Sequence, residues 1–180
     1  MREKENSRAY PDFDWQPLTE ADMDTVAAIA ARLHPGLPER TAVLAEKWRL
    51  CPDGCRKLLC GGVMRGYGLS HPGTLARPPK LDCLMGGLPD PADCLFLHDV
   101  AVLPEARGRG ASVAFIAHAA AVATARRLPS LALIAAYGTG RLWRRFGFED
   151  VPPEVTVGDG AASLAAYGAD ARYLSRRLSY

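Results

Sequence analysis

The stretch from Leu95 to Val113 constrains the fold more than any other part of this sequence. It opens with an apolar run, interrupted only at His98 and Asp99, which predicts a buried strand. Pro104 ends that strand, because proline has no backbone N–H to donate to a neighbouring strand. The residues from Ala111 to Leu128 then predict a helix, so the stretch as a whole indicates a strand, a turn and a helix.

The turn itself has the sequence Arg107-Gly108-Arg109-Gly110. Glycines let the backbone turn tightly and approach a ligand, so several N–H groups can converge on one anion. The N-terminus of the following helix favours negative charge, and the arginines add positive charge. An ordinary surface turn is the alternative, but the flanking strand and helix favour a pyrophosphate site.

These residues resemble the GNAT superfamily of acetyl-CoA-dependent N-acetyltransferases, whose pyrophosphate loop has the pattern Arg/Gln-x-x-Gly-x-Gly/Ala. Arg107, Gly110 and Ser112 occupy that pattern, with serine where the family has glycine or alanine. The phrase from Trp143 to Phe148 resembles the family's closing motif, in which an aromatic residue precedes x-x-Gly-Phe. That aromatic residue is tyrosine in many relatives, whereas this chain has Trp143.

The resemblance implies an α/β fold for residues 13–180: one GNAT-like domain with a mixed, twisted sheet of about six or seven strands and helices on both faces. It implies direct transfer of an acetyl group from acetyl-CoA to a primary amine of a small molecule or peptide in a ternary complex. The backbone from Val100 to Val102 is expected to pair with the pantetheine amides. The full set of expected cofactor contacts is Val100, Ala101, Val102, Arg107, Gly108, Arg109, Gly110, Ala111, Ser112, Val113 and Trp143.

Proton handling points to three further side chains. An alkyl ammonium group must lose its proton before it attacks a thioester, so a base or a water relay is expected. Asp99 is the first candidate and His98 the second, and both could instead be structural groups. Because adjacent strand residues point to opposite faces, at most one of them is expected to face the acceptor. Tyr137 is the candidate that returns a proton to the CoA thiolate, unless the thiolate leaves unassisted, because the indole of Trp143 is not a useful acid.

The cysteines indicate a reducing compartment. Five is an odd number, and the first residues lack the apolar core of a signal peptide, so free thiols and a cytoplasmic location are expected. Cys51 and Cys55 are loosely spaced and have no matching pair, so no metal site is predicted. Cys94 is the nearest alternative nucleophile, but it has no evident base partner.

Charge and hydropathy exclude some classes of binding partner. The net charge of +2 is mild and the basic residues are scattered, so a nucleic-acid partner is not expected. No apolar run reaches the roughly 18–20 residues that span a bilayer, so no membrane partner is expected. We expect a monomer or a homodimer, with residues 1–12 forming a frayed tail. The alternative function is a non-catalytic acyl-CoA-binding or regulatory module, which the same loop would support.

The rest of the sequence predicts further strands and helices and one long loop. Gly66 and Gly68 indicate either a weak, bulged strand or a close ligand, and His71 is interpreted as a capping or surface residue. Residues 71–92, rich in proline and glycine, predict a long loop that could form a substrate rim. The predicted strands are Phe13 to Leu18, Arg56 to Cys60, Val63 to Ser70, Leu131 to Ala136, a weak one at Thr156-Val157, and Ala171 to Leu178. Three further helices are predicted. One is capped by Thr19, the second begins at Pro38 and reaches about Leu50, and the third covers Gly138 to Arg145.

Overall fold

Seven strands form one mixed sheet in the computed structural model, which describes residues 13–158 and 160–179. The predicted tail at residues 1–12 lies outside the described residues. The strands are β1 (Phe13–Pro17), β2 (Arg56–Cys60), β3 (Val63–Gly73), β4 (Cys94–Val102), β5 (Ser130–Ala135), β6 (Glu149–Asp150) and β7 (Arg172–Arg177). Their order across the sheet is β1-β2-β3-β4-β5-β7-β6, and β4 and β5 are the parallel pair.

Five α-helices accompany the sheet in the described ranges. They are α1 (Met23–Leu33), α2 (Thr41–Leu50), α3 (Ala111–Ala125), α4 (Gly140–Arg144) and α5 (Gly160–Ala165). The predicted single α/β domain, with a mixed sheet and helices on both faces, is confirmed. No helix in residues 13–158 or 160–179 is both long and apolar enough to cross a membrane.

Several predicted boundaries are wrong, each for a local reason. Helix α2 begins at Thr41 rather than Pro38, and Arg40 in extended conformation precedes it. The predicted strand at Thr156-Val157 is absent from this described segment, where Pro153–Val155 forms a 3₁₀ turn. The short strand β6 was not predicted, because its two acidic residues carry no apolar alternation.

Two apolar layers cover the two faces of the sheet. On one face, α3 packs Phe115, Ile116 and Ala119 against Leu97 and Leu133. On the other face lie α1 and α2. These helices contribute Val26, Ile29 and Leu44 to an apolar cluster. The sheet contributes Tyr67, Leu69 and Ala101 to the same cluster.

The glycines of β3 serve packing rather than a ligand. A Cβ at Gly68 would lie 2.2 Å from the Phe115 ring, so only glycine admits this aromatic side chain. A Cβ at Gly66 would lie 2.4 Å from the Ala101 carbonyl oxygen. The register between β2 and β3 also shifts between Leu58 and Leu59, which is the predicted bulge.

The sheet opens at its centre. Strands β4 and β5 pair at Leu95 with Leu131 and at Phe96 with Ala132, and in the described residues their pairing ends there. A second irregularity lies on the other side of β4, where Leu69 pairs with Asp99 and Ser70 pairs with Leu97. The extra residue in β4 makes a β-bulge, which bends the strand away from β5. The result is a cleft between two parallel strands at their C-terminal ends.

Candidate active site

The cleft between β4 and β5 is a cavity of about 830 Å³. It extends from the loop before α3, along β4, to the segment that joins α1 and α2. Its size lies in the range of sites for small molecules and cofactors. The loop end of this cleft is formed by the segment from Arg107 to Val113. The acid-base end is formed around His34, Glu39, His98 and Asp99.

The loop end is built from backbone. Gly108 and Gly110 have φ of 76° and 80°, a left-handed conformation that side-chain-bearing residues rarely adopt. A Cβ at either position would meet no atom within 4 Å, so the turn is open on its outer side. Gly110 precedes the first residue of α3, and the first N–H groups of that helix have no partner within the helix. These groups and the helix dipole together can hold an anion.

Arg107 braces this loop. Its Nε donates a hydrogen bond to the Val102 carbonyl oxygen at 2.9 Å, which ties the loop to the end of β4. Of the eleven residues that the resemblance assigns to the cofactor, all except Arg109 line the cleft. Those lining it are Val100, Ala101, Val102, Arg107, Gly108, Gly110, Ala111, Ser112, Val113 and Trp143. The structure therefore gathers this predicted set around one cavity.

At the acid-base end, Asp99 lies between two side chains. Its Oδ1 is 3.1 Å from His34 Nε2, and its Oδ2 accepts a 2.5 Å hydrogen bond from the Tyr67 hydroxyl. The Tyr67 side chain is fully buried, so this hydrogen bond holds the carboxylate in one orientation. The His34 ring also stacks on Tyr137, with ring centroids 5.8 Å apart.

The pKa of His34 reflects two opposing causes. Burial lowers it, but the hydrogen bond and the negative charge of Asp99 raise it further, so the net pKa lies above the ordinary value of 6.5. Because Asp99 stabilises the imidazolium form, the pair is suited to accept a proton. The same hydrogen bond assigns His34 Nε2 as the donor toward the carboxylate.

A second pair lies beside the first. The Nε2 atom of His98 is 2.8 Å from Glu39 Oε2, and the Lys47 Nζ atom lies 3.9 Å from Glu39 Oε1. Burial alone would raise the pKa of Glu39, but the charge and hydrogen bond of His98, together with Lys47, bring it down to about 2. Glu39 is therefore ionised at neutral pH. The Lys47 side chain is fully buried and donates to the Cys83 carbonyl oxygen at 3.3 Å, which links α2 to the long loop.

The expectation that His98 and Asp99 point to opposite faces is wrong. Both side chains line the same cleft, and both contact residues near the ends of α1 and α2. The reason is the β-bulge: the pairing skips from Asp99 to Leu97, which leaves His98 as the extra residue. A bulge places two successive residues on one side, so the alternation rule fails at this point.

Tyr137 and Trp143 both line the cleft, at its β5 wall. Tyr137 has a φ of 53° and is 50% exposed, so its hydroxyl is accessible from the cleft. The Trp143 ring packs edge-on against Phe146 and Phe148. The structure thus places the three predicted catalytic side chains, Asp99, His98 and Tyr137, in one cavity.

The interpretation of His71 changes, whereas that of Cys94 does not. His71 is neither a capping nor a surface residue: it lies inside β3, pairs with Phe96 and is 1% exposed. The long loop therefore begins after Gly73. The Cys94 thiol is buried beside Ala132, and burial raises its pKa well above the ordinary value, so it is not a thiolate nucleophile.

Sequence reasoning missed His34, Glu39 and Tyr67. His34 follows the last residue of α1, and Glu39 follows the Pro-Gly-Leu-Pro segment before α2, which sequence patterns identify only as a helix connection. Tyr67 occupies an apolar position of β3 and is typical of a core residue. The only available signal was the presence of a histidine and a glutamate in the short connection between two predicted helices.

The five cysteines all lie in the described part of the chain, and none is bonded to another. The described residues also contain no group of three or more His, Cys, Asp or Glu side chains arranged to hold a metal ion.

Comparison with known proteins supports the resemblance. Residues 66–148, from β3 to the end of the closing motif, match the model of the acetyltransferase (GNAT) family. Among curated protein sequences, no match is found. The matched segment contains β4, the glycine loop and α3, so the family resemblance is confirmed on the residues that suggested it.

Three solved structures illustrate the fold. Ard1 from Thermoplasma volcanium is 14% identical, with a TM-score of 0.67 over 93% of this chain and 99% of that one. Naa50 from Arabidopsis thaliana, in complex with a bisubstrate analogue, is 12% identical with a TM-score of 0.66 over 93% of this chain and 99% of that one. N-acetylglutamate synthase from Neisseria gonorrhoeae, complexed with coenzyme A and N-acetyl-glutamate, is 17% identical with a TM-score of 0.71 over 94% of this chain but 36% of that one. At these identities the likeness shows the fold alone.

Proposed function

We propose that this chain, which carries a GNAT acetyltransferase domain, moves an acetyl group from acetyl-CoA directly to a primary amine in a ternary complex. The observation that supports this most is the single cleft that joins an open glycine loop to two acid-base pairs. Bound acetyl-CoA supplies the thioester carbonyl that the amine attacks. No covalent intermediate on the protein is needed, in keeping with the buried, protonated thiol of Cys94.

The loop end holds the pyrophosphate in this proposal. The N–H groups of Ala111, Ser112 and Val113 begin α3 and lack partners within the helix, so they are available to phosphate oxygens. The pantetheine would lie along β4, where pairing with β5 has ended and one edge of the strand is open. The β-bulge at His98 sets the point at which the thioester meets the acceptor.

The acid-base end removes the proton from the amine. At pH 7 an alkyl ammonium with pKa near 10.4 needs about 4.6 kcal/mol to lose its proton unaided. We assign this task to Asp99 acting with His34: the imidazole takes the proton, and the carboxylate orients it and stabilises its charge. His98 with Glu39 is the second candidate for the same role. Tyr137 is the proposed donor to the departing thiolate.

The lining of the acid-base end also restricts the acceptor. Its walls are largely apolar or aromatic, its acidic groups are Glu39 and Asp99, and its two histidines, His34 and His98, are each paired with one of these carboxylates. The one arginine in the cleft, Arg107, belongs to the loop end. Because His34, His98 and Lys47 are already paired with Asp99 or Glu39, a substrate carboxylate here would face these two carboxylates with no further cation among the described residues of this end, which costs several kcal/mol. The acceptor in this proposal is therefore an amine on an apolar or aromatic body, without a neighbouring carboxylate.

A matched pair of amines tests the proposal. Phenylethylamine and phenylalanine share one body, and only the second has a carboxylate beside the amine. Thiol release from acetyl-CoA is expected to give a kcat/KM at least about 100-fold higher for phenylethylamine, and the methyl ester of phenylalanine should recover most of that difference. Equal values for the amine and the amino acid would contradict the proposed acceptor class.

The alternative, a non-catalytic acyl-CoA-binding module, makes a different prediction. Calorimetry would then show acetyl-CoA binding while no amine in a broad panel released thiol. The Asp99 to His34 and His98 to Glu39 pairs favour the enzyme, because a module that only binds needs no proton acceptor in its cleft.

A further inference from the structure

A second cavity, of about 480 Å³, lies next to the acid-base end of the cleft. The long loop between β3 and β4 forms most of its wall, and Phe96 of β4 contributes to it. No residue lines both cavities. His71 lines the second cavity, His98 lines the cleft, and their ring centroids are 5.9 Å apart.

His71 presents an unused acceptor in this cavity. Its Nδ1 lies 2.9 Å from the Pro72 carbonyl oxygen, and because a carbonyl only accepts, Nδ1 carries the proton. The Nε2 atom therefore holds a lone pair, and it is buried without a hydrogen-bond partner among the described residues. Burial, helped by the charge of His98, lowers the pKa of His71 to about 3, so the ring stays neutral.

Neighbouring groups do not satisfy this atom. The Nδ1 atom of His98 is itself buried without a partner, so the two rings do not form a hydrogen bond to each other. Buried polar atoms in folded proteins nearly always have a partner, which can be a bound molecule. A hydrogen-bond donor on a bound ligand would give His71 Nε2 the partner that it lacks.

The charges around the cavity are positive. Arg77 and Lys80 line it and are exposed, whereas no Asp or Glu is among its lining residues in the described chain. The Arg77 guanidinium makes no ion pair within residues 13–158 and 160–179. Between these cations and His71 the wall is apolar, formed by Leu84, Met85, Leu88, Pro89 and Phe96.

We propose that this cavity binds a small organic acid with an apolar ring. Its carboxylate would meet Arg77, its ring would lie against Phe96 and Leu88, and a hydroxyl or N–H group at its far end would donate to His71 Nε2. The site is separate from the cleft, and binding there does not depend on acyl transfer.

Three related probes test each part of this assignment by calorimetry on the full chain. Para-hydroxyphenylacetate has the carboxylate, ring and hydroxyl. Phenylacetate lacks the hydroxyl, and para-hydroxyphenylethanol lacks the carboxylate. We expect the complete probe to bind about tenfold or more tightly than either of the others, because each loses one hydrogen-bonding group in a desolvated site. Equal affinities for the three probes, or no binding of the complete probe at millimolar concentration, would overturn the proposal.

Variants locate the site. Arg77→Ala should abolish the preference for the carboxylate, whereas Arg49→Ala, an exposed arginine on α2 outside the lining, should leave it intact. His71→Leu should abolish the preference for the hydroxyl. Since a buried substitution can unfold a protein, Arg77→Ala at the exposed mouth keeps the test decisive.

Competition with the cleft is the last control. A Gly110→Trp variant, which blocks the loop end of the cleft, should bind para-hydroxyphenylacetate as the parent does. Displacement of the probe by acetyl-CoA, or loss of its binding in Gly110→Trp, would place it in the cleft and overturn the assignment.

Discussion

The two ends of the cleft are built in different ways. The loop end uses backbone groups from one continuous stretch, from the end of β4 to the start of α3. The acid-base end uses side chains from distant parts of the chain: His34 and Asp99 are 65 residues apart, and Tyr67 and Asp99 are 32 apart. Local sequence therefore specifies the loop end, whereas the packing of α1 and α2 on the sheet assembles the acid-base end.

This difference leads to separable functions. The loop end should control the affinity for acyl-CoA and tolerate changes at the acid-base end. The acid-base end should control turnover and leave acyl-CoA affinity unchanged.

The largest effect is expected for Gly110→Trp. The bulky side chain occupies the open side of the loop and distorts a residue at φ 80°, so several backbone hydrogen bonds to the pyrophosphate are lost together. We expect the Kd for acetyl-CoA to rise by about 1,000-fold or more. Gly62→Trp is the matched control, since Gly62 also has positive φ and open surroundings but lies in the β2 to β3 hairpin. Unchanged acetyl-CoA affinity in Gly110→Trp would contradict the role of the loop.

The next effect is expected for Asp99→Asn. The amide keeps the shape but no longer stabilises a positive His34, so kcat should fall by about 100-fold, the size of a lost general base. The Kd for acetyl-CoA should stay within about twofold of the parent. Asp150→Asn, at an exposed ion pair with Arg144, is the control. Full activity in both Asp99→Asn and His98→Gln would exclude both residues as the base.

The pH profile sharpens the assignment of the base. The pKa of His34 is raised by Asp99, and the neutral imidazole exists above that pKa, so kcat/KM should rise with pH through it. In Asp99→Asn the raising charge is gone while burial still lowers the pKa, so the rising limb should move to lower pH. A limb that moves to higher pH in Asp99→Asn would contradict the role of His34, and a limb that moves only in Glu39→Gln would assign the base to the pair of His98 and Glu39 instead.

A smaller effect is expected for Arg107→Ala. The residue is exposed and braces the Val102 carbonyl, so its loss should weaken acetyl-CoA binding by about tenfold at low salt and less at high salt. Arg107→Lys keeps the positive charge but not the planar guanidinium, so it separates the electrostatic contribution of Arg107 to binding from that of its hydrogen bond to the Val102 carbonyl. If Arg107→Ala weakens acetyl-CoA binding by the same factor at low and high salt, only the hydrogen bond from Arg107 to the Val102 carbonyl contributes to affinity.

The smallest effect is expected for Tyr137→Phe. The hydroxyl is exposed at the cleft, and a thiolate is already a good leaving group, so kcat should fall by about twofold to fivefold. The phenyl ring retains the stacking on His34, which keeps the acid-base pair in place. A loss as large as that in Asp99→Asn would show that thiolate departure limits turnover.

Much of the fold follows from local patterns. Apolar runs and the Pro104 stop predict β4, and the glycine turn followed by an alanine-rich helix predicts α3 and the loop end. The strands β2 and β3 follow from the two-residue hairpin turn Gly61-Gly62 between two short segments. Weak or short patterns fail, as at β6 and at the start of α2, because a few residues carry too little periodicity.

The acid-base end shows where such prediction stops. Asp99 and His98 were identified from their polarity within an apolar strand, but their partners were not. Glu39 resembles an ordinary polar residue before a helix and Lys47 one near a helix end, and only their burial, with Lys47 at 0% exposure, distinguishes them. The bulge that turns His98 toward the same side as Asp99 arises from pairing with β3, which no local pattern in β4 encodes.

Local sequence is sufficient to predict the strand, the glycine turn and the helix of the central stretch, because proline, glycine and apolar spacing act on the backbone of their own segment. Only the tertiary structure decided which side chains accompany Asp99 and His98, that both face one cleft, and that His71 is buried beside a second cavity. These outcomes depend on strand register and on how helices from the first third of the chain pack on the sheet. Such contacts form between residues far apart in sequence, so their positions are set by the packed core as a whole.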